Sequence, residues 1–314
     1  MKITVILCTC NRSQYLAKAL DNLASSSLPD SVGWEVLLVD NNSNDRTREV
    51  AEGFCCRYPN RFRYLFEPHP GKSHALNAGI REARGDVLVF TDDDATVETA
   101  WLRNLTGALH NDEWAGAGGR ILLHWPSSIP PWLSIEGPYS RHCFPAFDQG
   151  NEAKELIGPP FGANMAIRKV MFEKYGVFRT DLGPSPTREI PRPGEDTEFG
   201  RRLIWAGERL RYEPSAVVHH PVAEDLINKR QFLEWWFDNG RANAREFQIR
   251  PWREFFSLAA WTLRWMAAFE PRVRFYRKLV VWEKVGRLVE LRRQGAAWNK
   301  IKAVPPLAKT PKNL

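Results

Sequence analysis

The chain has 314 residues, of which 43% are hydrophobic and 12% aromatic. That is ample for a packed core, which excludes wholesale disorder, and the length suits one large domain or two ordinary ones. The net charge of +7 is uneven: residues 250–314 hold 15 Lys/Arg against 4 Asp/Glu, whereas residues 1–249 are mildly acidic.

Residues 3–9 read as a strand, because the opening apolar run is too short for a secretory leader. Ser13–Ala24 has Leu16, Ala19, Leu20 and Leu23 at helical spacing. Glu35–Val39 is a second buried strand ending at Asp40. A polar turn, Asn41–Asp45, then leads into a helix over Thr47–Tyr58, which Asn44 or Asp45 can cap. Phe62–Phe66 is a third strand, and Gly71-Lys72-Ser73-His74 opens a helix through Ala83. Asp86–Thr91 is a fourth strand. This alternation of strand and helix predicts parallel strands with right-handed crossovers. Further on, the pattern predicts a helix over Trp101–Leu109, a strand over Ala115–Leu123 and a long Pro/Trp/Gly-rich insertion over 125–160. Gly162–Tyr175 reads as a turn running into a helix, and 184–193 as a mobile loop. A helix over Glu195–Trp205, a strand over Leu210–His220 broken by Pro214, and a helix over Asp225–Glu246 complete the body. No 18-residue apolar stretch suggests a membrane span. The five cysteines form no paired Cys-x-x-Cys motifs, so structural zinc is not expected and reduced cytoplasmic thiols are.

The chemistry concentrates at Asp92-Asp93-Asp94, directly after the fourth strand. Open α/β sheets place ligands at the carboxyl ends of their strands. Three adjacent carboxylates repel one another unless a cation compensates. Mg²⁺ or Mn²⁺ takes oxygen ligands and bridges phosphates, so a metal–diphosphate site is one reading. A solvated acidic turn capping the next helix is the other. Thr9, Asn11 and Arg12 follow the first strand, at the same ligand edge. Asp40, after the second strand, can accept hydrogen bonds from a base or ribose, or simply cap its turn. Lys72 lies in a Gly-containing turn before a helix, suited to phosphate or to plain solvation. Glu195, Asp196 and Glu198 open a helix, where acids serve either as dipole partners or, near a sugar hydroxyl, as a general base. His219 and His220 end a strand on opposite faces, so at most one can complete a metal shell.

Several segments, in order, carry a resemblance: Ile6–Arg12, Leu38–Asp45, Lys72–Ile80, Phe90–Asp94, Gly162–Ala166, Gly194–Phe199 and Pro214–His220. Together they resemble family 2 glycosyltransferases of the GT-A fold, over roughly residues 1–245. The resemblance implies an α/β domain, residues 1–249, with a mostly parallel sheet flanked by helices, followed by a basic, Trp-rich helical tail, residues 250–314. It implies that Thr9, Asn11, Arg12 and Asp40 line the nucleoside pocket, and that Lys72 and Asn77 lie near base or phosphates. Asp93 would touch ribose, while Asp92 or, better, Asp94 would anchor Mn²⁺ or Mg²⁺ with His220. Gly162, Asn164 and Met165 would border the donor sugar and acceptor. Asp196 would be the base, with Glu195 beside it. Cys10 stands where the family often has an aromatic, so base stacking is left unassigned.

The implied function is a metal-dependent inverting transfer of a sugar from a UDP-, GDP- or dTDP-sugar to a hydroxyl of a glycan or lipid-linked acceptor. A sugar nucleotidyltransferase would want a Gly-rich loop after strand one, and Cys8–Arg12 has no glycine. A non-enzymatic adaptor using the basic tail leaves the acids without purpose. In the tail, Trp and apolar residues at 252–270 precede a stretch in which Val281, Trp282, Val285, Leu288 and Val289 share one face opposite Arg/Lys. Residues 252–293 are therefore expected either at an anionic membrane surface, with the protein cytoplasmic or peripheral on the inner face of the plasma membrane, or packed on the body. Nucleic acid is not an expected partner.

Overall fold

A computed structural model describes residues 1–29, 31–110, 113–187 and 189–301, with side chains as far as 295. The internal contacts divide the chain into two compact units: Met1–Pro130 with His142–Phe232, and Pro131–Arg141 with the chain from Leu233 onward.

The first unit is built on a nine-stranded sheet. Its strands are β1 (Lys2–Thr9), β2 (Gly33–Asp40), β3 (Phe62–Phe66), β4 (Val87–Asp92), β5 (Thr96–Val97), β6 (Gly116–His124), β7 (Lys154–Glu155), β8 (Met165–Arg168) and β9 (Leu210–Pro221). The order is β3-β2-β1-β4-β8-β6-β9-β5, with β7 pairing β9. As the strand–helix alternation predicts, β1 runs parallel to β2 and β4, and β2 parallel to β3. Beyond β4 the sheet is mixed. Strand β8 is antiparallel to both β4 and β6, and β6 is parallel to β9.

Helices α1 (Ser13–Ala24), α2 (Thr47–Arg57), α3 (Lys72–Glu82), α4 (Trp101–Gly107), α5 (Lys169–Tyr175) and α6 (Glu195–Trp205) cover the two faces. Period-two alternation sorts the core. Val5, Leu7, Val36, Leu38, Val87 and Val89 pack with Leu16, Leu20 and Trp101. Ile6, Leu37, Val39, Leu88 and Phe90 pack with Leu76, Phe172 and Phe199.

Three predicted elements differ in form. Gly162–Tyr175 contains the four-residue strand β8 between its turn and α5, too short a run to show a period. The helix expected from Asp225 begins at Lys229 as α7 (Lys229–Glu246), because the Asn228 carboxamide accepts the Gln231 N–H and caps it there. The break at Pro214 is a bulge: β6 slips register between Gly119 and Arg120, which pair with Glu213 and Val217. Proline has no N–H to give the ladder.

The second unit holds most of α7, together with α8 (Pro251–Met266) and α9 (Pro271–Ile301). It starts before residue 250 because α7 and α9 meet backbone to backbone. A Cβ added at Gly240 would overlap the Glu283 carbonyl, and one added at Gly286 the Phe237 carbonyl. Gly286→Ala is therefore expected to lower stability by about 1–3 kcal/mol, read as a lower denaturant midpoint; an unchanged midpoint would contradict this packing.

The expected two-faced α9 is not what forms. Glu283, Lys284 and Glu290 are buried with its apolar residues, and the ions pair internally. Glu290 accepts from Arg241 at 2.9 Å and Arg245 at 2.7 Å, Lys284 reaches Glu254 at 3.2 Å, and Glu283 meets Arg141 and Arg287. Charges that pair across helices need not face water, which defeats a reading by polarity alone.

Candidate active site

Strand register brings the site together. Thr9 lies opposite Asp40, and Cys8 lies between Val39 and Asp92, so the carboxyl ends of β1, β2 and β4 finish level. Strand β9 points the same way as β4, since β8 is antiparallel to β4 and β6 while β6 is parallel to β9. His220 therefore arrives at the edge where Asp92–Asp94 leave β4. Asn11 (φ 54°) and Asn42 (φ 60°) take the left-handed conformation in the turns after β1 and β2, which asparagine tolerates better than most residues. The two turns are tied together: the Asn11 N–H donates to Ser43 Oγ and its carboxamide oxygen accepts the Asn44 N–H.

Asp92, Asp94 and His220 each direct a ligand atom to one point, all within 4.8 Å of one another. Asp94 Oδ1 is buried and makes no hydrogen bond, while His220 Nε2 stands 3.3 Å away as an ionic neighbour. The His220 Nδ1 lies 3.1 Å from the Pro221 carbonyl, which can only accept. That contact assigns the Nδ1 proton and leaves Nε2 for the cluster. Burial opposes ionisation of Asp94, but His220 and then Arg12 outweigh it and hold the carboxyl well below the usual range. Burial likewise disfavours the imidazolium of His220, yet the contact with Asp94 raises its pKa. Two carboxylates, one of them with a buried oxygen that makes no hydrogen bond, and an imidazole fit a hard divalent cation.

Asp93 points elsewhere. It is buried, accepting from Thr9 Oγ1 at 2.7 Å and pairing with Arg12 at 3.1 Å. Burial pushes its carboxyl up to about 6, aided by Asp94 and Asp92 and opposed by Arg12 and Thr9. Arg12 also reaches Asp94 at 2.5 Å and lies over the Tyr15 ring. Thr9 and Arg12 thus hold the acidic turn, and Asp93 in this structure braces it rather than opening to the cleft. Asp40 is buried too, accepting from the Ser43 N–H and the Tyr64 hydroxyl. It caps its turn with two of a carboxylate's roughly four lone-pair sites.

Beside the cluster, one cavity is lined by Lys72, Asp92, Gly162, Met165, Glu195 and Asp196, with Cys8, Thr91, Phe90 and Phe178 in its wall. Lys72 Nζ meets Asp92 at 2.6 Å. Burial works to lower its pKa, but Asp92 and then Glu195 outweigh that and raise it, so the ammonium is favoured. Gly194, with φ 118°, turns the chain into α6. Asp196 is fixed at the first turn by the Gly162 N–H at 2.7 Å and the Thr197 N–H at 2.6 Å. Glu195 is buried behind it, and burial followed by the Asp196 charge pushes its carboxyl up to about 8, against the pull of Lys72. The helix start is anchored through Phe199, whose ring stacks on Phe172 at 4.4 Å and meets Phe178 edge-on.

Two residues expected at the donor lie elsewhere in effect. Asn77 spends both ends of its carboxamide on the Phe178 backbone. Asn164 is fully buried, accepting from the Trp101 indole and donating to the Arg120 and Ala216 carbonyls. The first is a clasp on the loop before α6, the second a core tie between α4, β6 and β9. The loop expected to be mobile is held at its start. The Lys72 N–H donates to the Pro184 carbonyl, and Ser73 Oγ to the Leu182 carbonyl. Phe178 and Tyr64 were not singled out from the sequence; neither has a local signal, since each acts through residues over 20 positions away.

Residues 4–176 match the family described as glycosyl transferase family 2. The chain belongs to that family. It is accordingly an enzyme, a glycosyltransferase. The chain is 28% identical over 246 residues to the succinoglycan biosynthesis protein ExoM of Rhizobium meliloti, covering 78% of this chain and 75% of that protein. It is 26% identical over 270 residues to glycosyltransferase AglE of Haloferax volcanii, covering 83% and 80%. The fold resembles that of the mannosyltransferase PcManGT from Pyrobaculum calidifontis in complex with GDP-Man and Mn²⁺, with TM-score 0.55, 19% identity and coverage of 94% of this chain and 75% of that one. It also resembles S. aureus TarS 1-349 in complex with UDP-GlcNAc, with TM-score 0.52, 14% identity and coverage of 94% and 92%. The first unit is thus a GT-A domain, with an Asp-rich cluster at the carboxyl edge of its sheet.

Proposed function

We propose that this family 2 enzyme is a metal-dependent, inverting glycosyltransferase that moves a sugar from a UDP-, GDP- or dTDP-sugar to a hydroxyl of a glycan or lipid-linked acceptor. One observation carries the reading. Asp92 belongs both to the cation cluster with Asp94 and His220 and to the cavity that holds Lys72 and Asp196. The acids and the start of α6 therefore meet at one strand edge, which is where a donor's diphosphate and its sugar would have to lie side by side.

A divalent ion bound by Asp92, Asp94 and His220 would neutralise charge on the departing diphosphate. Lys72 adds a fixed positive charge on the same side. Asp196 accepts the proton of the acceptor hydroxyl while that oxygen bonds to the anomeric carbon and the bond to the diphosphate oxygen breaks. One displacement inverts configuration, with Asp196 acting as base rather than as nucleophile. The hydrogen bonds from Gly162 and Thr197 aim its carboxylate without neutralising it.

Thermal-shift screening of UDP-, GDP- and dTDP-sugars with Mn²⁺ tests the reading. A donor at 100 times its dissociation constant adds about 2.7 kcal/mol. Asp94→Ala is expected to remove the Mn²⁺-dependent part of that shift. Equal shifts in the variant, or in the wild-type chain with chelator, would refute metal dependence.

A further inference from the structure

Among the described residues, nothing covers an apolar stripe on helix α8. Trp252, Phe255, Phe256, Ala259, Leu263 and Met266 recur at intervals of three and four, and all are exposed. Phe256 and Leu263 are each 68% exposed, and Phe269, just past the helix, is 92% exposed. Isolated apolar residues at a surface are ordinary, but a contiguous aromatic stripe on one face marks an interaction site.

The opposite side fixes which way the stripe faces. Glu254, the single acid of α8, is buried and held by Lys284 at 3.2 Å and Arg287 at 3.4 Å. The stripe is edged by exposed Arg253 and Arg264, whose guanidinium groups lie over Trp252 and Trp261, with Arg250, Arg272 and Arg274 also exposed nearby. Rings that enter an apolar layer and guanidinium groups that stay at its polar margin describe the headgroup boundary of an anionic bilayer. Two arginines and a length of 16 residues keep α8 from crossing one, and no helix among the described residues is long and apolar enough to do so.

We infer that the α8 stripe is a docking surface for anionic lipid bilayers, on which the helix lies in the interface plane. The earlier expectation of a membrane face over 252–293 narrows to α8 and Phe269, since α9 turns Val280 and Val281 inward together with the paired ions Glu283, Lys284 and Glu290. This inference does not rest on the transferase reading, because docking is measured without donor or acceptor.

The test is flotation of the full chain with vesicles of phosphatidylcholine alone and of phosphatidylcholine mixed with phosphatidylglycerol, with light scattering on the free protein. The expected result is binding to the mixed vesicles, weakened by high salt. The double variant Phe255→Ser/Phe256→Ser should bind at least about tenfold more weakly. Both side chains are exposed, so its unfolding midpoint should match the wild type. The charge variant Arg253→Gln/Arg264→Gln should lose the preference for phosphatidylglycerol. Unaltered vesicle binding in the Phe variant, no binding by the wild type, or a wild-type dimer that the Phe variant dissolves would each overturn the inference.

Discussion

Replacing Asp196 with Asn is expected to lower turnover by about 10²–10⁴-fold, the range for loss of a positioned general base. Donor binding is expected to persist. The asparagine oxygen can still accept the Gly162 N–H, at the loss of the Thr197 N–H contact, which the amide nitrogen cannot accept. What disappears is a group able to take the acceptor's proton. Release of nucleoside diphosphate from donor and acceptor measures the first quantity, and the Mn²⁺-dependent thermal shift with donor alone measures the second. If both vanish together, Asp196 serves the donor site and the assignment as base is wrong. If turnover stays within a few-fold of wild type, another group removes the proton.

The second large effect is on stability. Arg241 is 2% exposed and pairs with Glu290, itself 3% exposed, across α7 and α9. Arg241→Met is expected to cost about 3–5 kcal/mol, because it leaves a buried carboxylate short of a partner. Arg245, at 2.7 Å from the other oxygen, cannot compensate alone. Adding Glu290→Leu should restore part of the loss, since it removes the buried carboxylate but also the partner of Arg245 at 2.7 Å. Urea denaturation of the two variants separates these outcomes. A loss below about 1 kcal/mol in the single variant would show that water or neighbouring arginines relieve the charge.

That Asp92, Asp94 and Asp196 stand at or just past strand and helix ends was legible from residue types and local pattern. Asp92 and Asp94 follow an apolar run too regular to be anything but a buried strand, and ligands collect at such ends. The roles of Asp93, Asn77 and Asn164 were not legible. A carboxylate or carboxamide near a site reads the same whether it faces the ligand or braces the frame. The difference is made by partners distant in sequence: Arg12 for Asp93, Phe178 for Asn77, Trp101 and Ala216 for Asn164. The same limit hid the buried ions of α9, where polarity implied a solvated face and pairing removed the need for one.

By itself the sequence determined the run of strands and helices through Glu82, the acidic strand end and the acidic first turn of α6. These rest on local periodicity and turn chemistry, which act over a few residues. Tertiary structure alone decided which carboxylates share a cavity, that β8 reverses the sheet beside β4, and that the second unit begins within α7. Each depends on contacts between segments far apart in the chain, and neither spacing nor propensity encodes which oxygen will be left facing the cleft.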